Sequence, residues 1–306
     1  MGLSFNVYDF LHEDAECLLQ KSSKAYQEVY RQKFDFLDLY KNKFSEQIKP
    51  LQLLLLYDGE ICAGCAVFEQ FSDFYGSISL FVSSKKYCRH LAKFSVQCAF
   101  FDEHLLEIIC YQYHEHFYKS FKQLSLIENL RQRMLLDLRS ETFFNDLDGG
   151  YRLIKMTPKD LPMTSRISYL AHQVSRDYYM YPGMNNYKNR LTLEELAFGG
   201  FYGSVNSSAS VLLCKDEDVL GYCLVVDVDS CGIKGVPWIF DISIRPEYQG
   251  KGLGTKLLKA VCNIVTNQKK SHLGLAVTQS NSSAIQLYEN VGFTYLDSFR
   301  EYIKKY

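Results

Sequence analysis

Between Asp241 and Thr255 the chain runs from an apolar stretch, Ile242-Ser243-Ile244, through Arg245-Pro246-Glu247-Tyr248 into Gly250, Gly252 and Gly254, and then into a helical pattern. Few folds accept that order. A strand that hands over to a glycine-rich turn opening a helix gathers unpaired backbone N–H groups and the positive end of a helix dipole at one point, which suits an anion such as phosphate. A dinucleotide fingerprint would need G-x-G-x-x-G and an acid about 20 residues on. Here the spacing is G-x-G-x-G, and the next strand carries no terminal acid. A P-loop would need Gly-Lys-Ser/Thr, whereas this turn ends Gly254-Thr255-Lys256.

The neighbourhood of the turn reads as an α/β unit with a mixed sheet. Gly150 to Met156 is a predicted strand, and Pro158-Lys159-Asp160 a helix start. Helical, Tyr-rich sequence follows from about Ser165 to Glu195, interrupted at Pro182-Gly183. Ser210–Cys214 and Val219–Val228 flank Lys215-Asp216-Glu217-Asp218 as a hairpin. Then come a strand to Ile244, a helix over Thr255–Asn267, a strand over Leu273–Val277, a helix closed by Gly292, and a last strand over about Phe293–Tyr302.

The first half repeats the order: a strand at Ser4–Asp9, helical sequence from about Glu13 to Phe44, and a hairpin of Leu51–Tyr57 and Ile61–Phe68. A strand at Ser77–Val82, a helix over Arg89–Phe101, a strand at Glu107–Tyr113, a helix over Glu115–Leu124 and a strand at Met134–Leu138 complete it. Gly64 and Gly221 fall at the same place in the two hairpins. The expectation is a tandem duplication, residues 1–140 and 150–306, joined by a linker at residues 140–150 that includes Asn145-Asp146-Leu147-Asp148-Gly149-Gly150.

Gln249-Gly250-Lys251-Gly252-Leu253-Gly254 resembles the Q/R-x-x-G-x-G/A acetyl-CoA signature of the GCN5-related N-acetyltransferases (GNAT). Asn281 to Phe293, N-x-x-A-x-x-L-Y-x-x-x-G-F, resembles that family's second motif, in the right order and with a strand between. The resemblance implies two tandem GNAT-like domains and transfer of an acetyl group from acetyl-CoA to a primary amine by direct attack. It places Ile242, Ser243 and Ile244 along the pantetheine arm and the turn Gln249, Gly250, Lys251, Gly252, Leu253, Gly254 and Thr255 on the pyrophosphate. Asn281 then faces the cofactor, and Tyr288 protonates the departing thiolate. Some family members carry a Glu five residues before the motif Asn; here Ala276 stands there. Asp241 is the best remaining general base, through water, and reads equally well as a hydrogen-bonded acid at a bulge. Asp227 and Asp229 are weaker candidates. Tyr178, Tyr179 and Tyr181 lie where the family builds its acceptor wall, and local helix packing explains them too.

The first half departs from the pattern. After its fourth strand comes Ser83-Ser84-Lys85-Lys86-Tyr87, with no glycine, and neither Asn nor Gly-Phe survives near His114. This half is expected to be catalytically silent, with weakened cofactor binding or a protein partner as what remains to it. The plan of one intact and one eroded copy also resembles bacterial effector acetyltransferases of the VipF type, and mycothiol synthase.

Thirty-four basic against 35 acidic residues give a net charge of -1, which argues against nucleic acid as the main partner. No apolar run of about 18 residues occurs, so no membrane helix is expected, and no Sec-type leader is visible. Most of the ten cysteines sit in apolar runs, and they are expected to be buried thiols of a reducing, cytoplasmic protein, or of a host cytosol for an effector. Cys62 and Cys65, three apart in a strand, are expected on opposite faces. No metal is expected at His114 and His116. The acceptor is a protein or small-molecule amine; the competing reading is an acyl-CoA-binding scaffold without turnover.

Overall fold

The computed structural model describes residues 2–30, 34–46, 50–72, 75–98, 105–110, 112–124, 126–139, 147, 149–181, 185–230 and 233–304. The chain forms two compact units, one of residues 1–129 with 300–306 and one of residues 130–299.

The first unit opens with β1 (Leu3–Tyr8), α1 (Glu16–Tyr30) and α2 (Phe36–Glu46). β2 (Leu51–Asp58), β3 (Ile61–Ser72), β4 (Tyr75–Val82), α3 (Cys88–Cys98), β5 (Leu105–Cys110) and α4 (His114–Lys122) follow. β6 (Leu126–Asp137) crosses from the first unit into the second. There the order is β7 (Tyr151–Lys155), α5 (Leu161–His172), α6 (Arg176–Met180), α7 (Tyr187–Phe198), β8 (Ser204–Val205), β9 (Val211–Lys215), β10 (Asp218–Ser230) and β11 (Ile233–Ile244). α8 (Leu253–Asn267), β12 (His272–Thr278), α9 (Ser282–Val291) and β13 (Thr294–Lys304) complete the chain.

In the first unit the strands lie in the order β1-β2-β3-β4-β5, antiparallel except for parallel β4–β5, and residues 300–303 of β13 close the row against β5. In the second the row is β7-β9-β10-β11-β12, again antiparallel except for β11–β12, closed by residues 131–137 of β6 against β12. Each sheet thus takes its sixth strand from the other copy of the sequence. The division at 140–150 follows the repeat, while the compact units divide at 129/130 and 299/300.

Helices cover both faces of each sheet, which is why strands such as Leu53-Leu54-Leu55-Leu56 are apolar without interruption. Leu54 and Leu56 pack toward α3 and α4, Leu53 and Leu55 toward α1 and α2. Each contributes about 1.5–3 kcal/mol by its burial. In the second unit Leu257, Leu258, Val261 and Val265 of α8 cover one face, and Leu161, Ile167 and Ala197 of α5 and α7 the other.

The predicted helical run over 165–195 resolves into α5, α6 and α7, with Pro182–Gly183 outside the described residues. The run over 13–44 resolves into a 3-10 turn (Glu13–Ala15), α1 and α2. Most of the expected linker, 140–146 and 148, also lies outside them. The expectation that Cys62 and Cys65 face opposite ways fails. Leu56 pairs with Gly64 but Tyr57 with Cys62, so Ala63 is an extra residue. That bulge reverses the alternation, and both thiols turn toward the α1–α2 side. Burial pushes both thiols up, Cys62 to about 11, so they stay protonated.

Candidate active site

β11 and β12 are parallel neighbours for a short distance. Their register is recorded at Trp238–Gly274 and Ile239–Leu275, and beyond it the strands part, although β11 runs on to Ile244 and β12 to Thr278. The parting begins at a bulge. Leu224 of β10 faces Asp241 and Val225 faces Ile239, which leaves Phe240 as the extra residue. The bulge resets the alternation, so Ile239, Ile242 and Ile244 face the α8 layer while Phe240 and Asp241 both turn to the α5–α7 side.

Backbone register shows which groups face the gap. The Arg245 N–H donates to Leu220 O at 2.8 Å. In an antiparallel pair bonded residues alternate, so Ser243 and Asp241 bond β10 while Ile242 and Ile244 turn their backbone groups toward the open edge. The Gln249 side chain donates to Ile244 O at 2.9 Å, tying the following turn to the end of that edge.

The open edge leads to the start of α8. Gly250 (φ 72°) and Gly252 (φ 77°) take left-handed conformations, and a Cβ at either would meet nothing within 4 Å. The turn is therefore open. Among the described residues no side chain caps α8, and the Lys256 N–H bonds Gly252 O at 3.1 Å, so the N–H groups of Leu253, Gly254 and Thr255 have no intrahelical partner. The Leu253 side chain is buried in the core; Gly254 leaves only 3.1 Å between a Cβ and Leu287 of α9. Lys251 bonds Glu247 O at 2.9 Å and lies 5.2 Å from the Tyr248 ring.

α9 contributes Asn281 and Tyr288. Asn281 caps the helix, its Oδ1 accepting from the Ala284 N–H at 3.2 Å and the Ser283 hydroxyl at 3.1 Å. Tyr288 is half-buried, its ring 5.8 Å from Phe293. Burial, and then the charge of Asp241, hold its phenol protonated well above the ordinary range.

Asp241 is buried in a charged network that the sequence did not announce. Arg190 of α7 donates to Asp241 Oδ2 at 2.6 Å and to Glu194 Oε1 at 3.0 Å. The Tyr222 hydroxyl bridges the same two carboxylates, Thr164 donates to Glu194 Oε2 at 2.6 Å, and Ser243 to Asp241 Oδ1 at 3.2 Å. Burial pushes Asp241 up most strongly, but the Arg190 guanidinium, His172 and the hydroxyls of Tyr222 and Ser168 together outweigh it and hold the carboxyl below its usual range. Burial wins at Glu194, which is raised.

Of the acceptor-wall tyrosines, Tyr178 is half-buried, Tyr179 is 76% exposed, and Tyr181 is buried beneath the Arg131 guanidinium at 5.4 Å. Arg131 itself arrives on β6 and donates to Ala276 O at 3.0 Å. The structure thus gathers the turn, the open edge and Tyr288 on adjoining elements of one unit. Arg190, Glu194, Tyr222 and Arg131 join them unannounced by any motif.

Residues 173–293 match the acetyltransferase (GNAT) family. The second unit carries that match. A mouse thialysine N-epsilon-acetyltransferase is 35% identical over 74 residues, 24% of this chain and 44% of that protein. A probable spermine N(1)-acetyltransferase of Bacillus subtilis is 35% identical over 87 residues, 27% of this chain and 57% of its own. The chain spans about half the length of these relatives. A tandem GNAT protein from the clavulanic acid biosynthesis pathway superposes over 98% of both chains with TM-score 0.60 at 12% identity, a likeness of fold. The GNAT segment takes in α6, α7, the β9–β10 hairpin, the β11–β12 gap and Tyr288. Among the described residues no group of His, Cys, Asp and Glu is placed to hold a metal, and no helix is long and apolar enough to cross a membrane.

Proposed function

We propose that the second unit is an acetyl-CoA-dependent N-acetyltransferase acting on primary amines. The observation that carries this reading is the open edge of β11, which ends on an uncapped helix start with a protonated phenol on a neighbouring helix. The residues fit the cosubstrate. Ile242 and Ile244 offer backbone donors and acceptors to an extended pantetheine amide chain. Leu253, Gly254 and Thr255 offer N–H groups to a pyrophosphate, and the glycines leave room for it. Acetyl-CoA would supply a thioester that a neutral amine attacks directly. Tyr288 then donates its proton to the departing sulfur.

Asp241 takes a positioning role in this proposal, not the base role expected from the sequence. A carboxylate held ionised by Arg190 and already accepting three hydrogen bonds is a weak proton acceptor. It pins α7 to β11 where the strand departs from β12. Relatives named for thialysine and spermine support an amine acceptor of small-molecule size.

The test is coenzyme A release from acetyl-CoA with a panel of alkylamines, peptides and proteins, beside calorimetric acetyl-CoA binding. Turnover with at least one amine, lost in Tyr288→Phe while binding persists, is expected. Tight acetyl-CoA binding with no turnover on any acceptor would replace this reading by the scaffold one.

A further inference from the structure

An amine acceptor reaches the protein at neutral pH largely as an ammonium ion, so its entry calls for a carboxylate that faces the gap. The acids offered by sequence are spoken for. Asp241 is closed into the Arg190 network. Asp227 accepts from Asn206 at 3.1 Å and Lys270 at 3.0 Å, and Asp229 from the Gly235 N–H at 2.8 Å.

Asp177 belongs to no motif, yet it stands at the gap. It lies on the short helix α6, and the Thr278 hydroxyl donates to its Oδ1 at 2.6 Å. Thr278 is the last residue of β12, so it ends the strand that parts from β11. The bond therefore holds the α6 carboxylate on the rim of the gap. Asp177 is half-buried, and its Oδ2 meets no donor among the described residues. The charge of Asp177 is also among the causes that raise the Tyr288 phenol. The neighbouring Tyr178 ring lies 6.4 Å from Tyr169, which in turn lies 6.5 Å from Tyr187, so phenol faces flank the carboxylate's helix. A half-buried carboxylate oxygen open to a ligand, on a helix that also carries a phenol ring, is the chemistry that holds an alkylammonium.

We propose that Asp177 Oδ2 is the docking point for the acceptor's positive charge, and that the acceptors are alkylamines that arrive as ammonium ions and attack once the reacting amine has given its proton to solvent water. This rests on the acetyltransferase reading of the same site.

The test uses the full chain with saturating coenzyme A, which cannot react, and calorimetric binding of spermine as the probe. Wild type, Asp177→Asn, Asp177→Glu and, as a control, Glu217→Gln are compared; the Glu217 side chain is fully exposed. Loss of a charge-assisted bond predicts spermine binding weakened about tenfold or more in Asp177→Asn. Partial recovery is expected in Asp177→Glu, and no change in Glu217→Gln or in coenzyme A affinity. Equal spermine affinity in wild type and Asp177→Asn overturns the proposal, as does absence of spermine binding in wild type or a parallel fall in coenzyme A affinity in the variant. A wild type that fails to bind coenzyme A at all would instead strike the acetyltransferase reading.

Discussion

The fourth and fifth strands of the two units are the same parts put to different use. In the first unit Tyr75 to Leu80 of β4 pair without a break with Leu105 to Cys110 of β5. In the second, pairing of β11 with β12 stops after Ile239 and Leu275. The preceding hairpins are alike in detail. Each has one extra residue, Ala63 or Leu220, just before its glycine. Gly64 then faces Val82, and Gly221 faces Ile244. Each extra residue's carbonyl takes the N–H that follows the fourth strand, Ser83 or Arg245. What differs is the second bulge, at Phe240, which β4 lacks. Seven residues past the helix cap, Ser120 stands in α4 where Tyr288 stands in α9, its hydroxyl turned back to His116 O at 2.6 Å. One unit keeps a gap with a buried, protonated phenol on a neighbouring helix; the other has a closed sheet. The difference teaches that the two units diverge in strand pairing as well as in the turn glycines.

The largest expected effect is on Tyr288. Tyr288→Phe should lower kcat by about 10²–10⁴-fold with the KM for acetyl-CoA unchanged, whereas Ser120→Ala should leave kcat as it is. Because burial raises the phenol above its ordinary 10.0, the proton needed for this step stays in place from neutral pH to at least that value. The rate should therefore show no Tyr288-dependent fall below it. A fall near neutrality that disappears in Tyr288→Phe would reverse the assignment.

Next comes the buried network. Arg190→Met leaves Asp241 and Glu194 facing each other without a counter-charge, and should cost about 3–5 kcal/mol in denaturant unfolding. The sign of the pH dependence follows from Asp241, whose carboxyl is held below its ordinary 3.8. Its contribution is present above that value and is lost as pH falls through the lower folded one. Asp241→Asn should therefore destabilise the protein at neutral pH and flatten its acid unfolding below pH 3.8.

A third variant, Gly252→Val, forces a β-branched residue to φ 77° at the helix start. Backbone strain of about 1–3 kcal/mol, together with a side chain in the anion's path, should weaken acetyl-CoA binding roughly a hundredfold. Calorimetry should also count one acetyl-CoA per chain; two would break the contrast between the units. The smallest effect belongs to the first unit's basic turn. Lys86 sits on the surface with Asp58, 3.5 Å away, and Lys86→Ala should change neither acetyl-CoA binding nor turnover.

Most elements of both copies, and the turn from Gln249 to Thr255, were legible because strand alternation, helix spacing and glycine positions are local signals. The gap was not. β11 and β4 are both apolar strands, and nothing in Trp238-Ile239-Phe240-Asp241 tells a bulged strand from a regular one. Arg190 and Glu194 were missed because an i,i+4 pair on a helix usually marks a solvated face, and here it is buried. Arg131 was missed because the strand carrying it is read from sequence as the last of the first copy, and strand patterns do not say which neighbour a strand will choose. Asp177 sits in a tyrosine-rich segment, where a single acid on a short helix carries no spacing signal of its own.

The exchange of sixth strands sets a timetable on synthesis. As the chain leaves the ribosome, β6 is available before any other strand of the second sheet, so that sheet can close as soon as β12 has been made. The first sheet is the earlier to appear and the later to finish, because β5 keeps an uncovered edge until residues 300–303 arrive. An open strand edge is a template for pairing with other chains. The first unit is therefore the part most exposed to misassembly during translation, and the second is the part completed first.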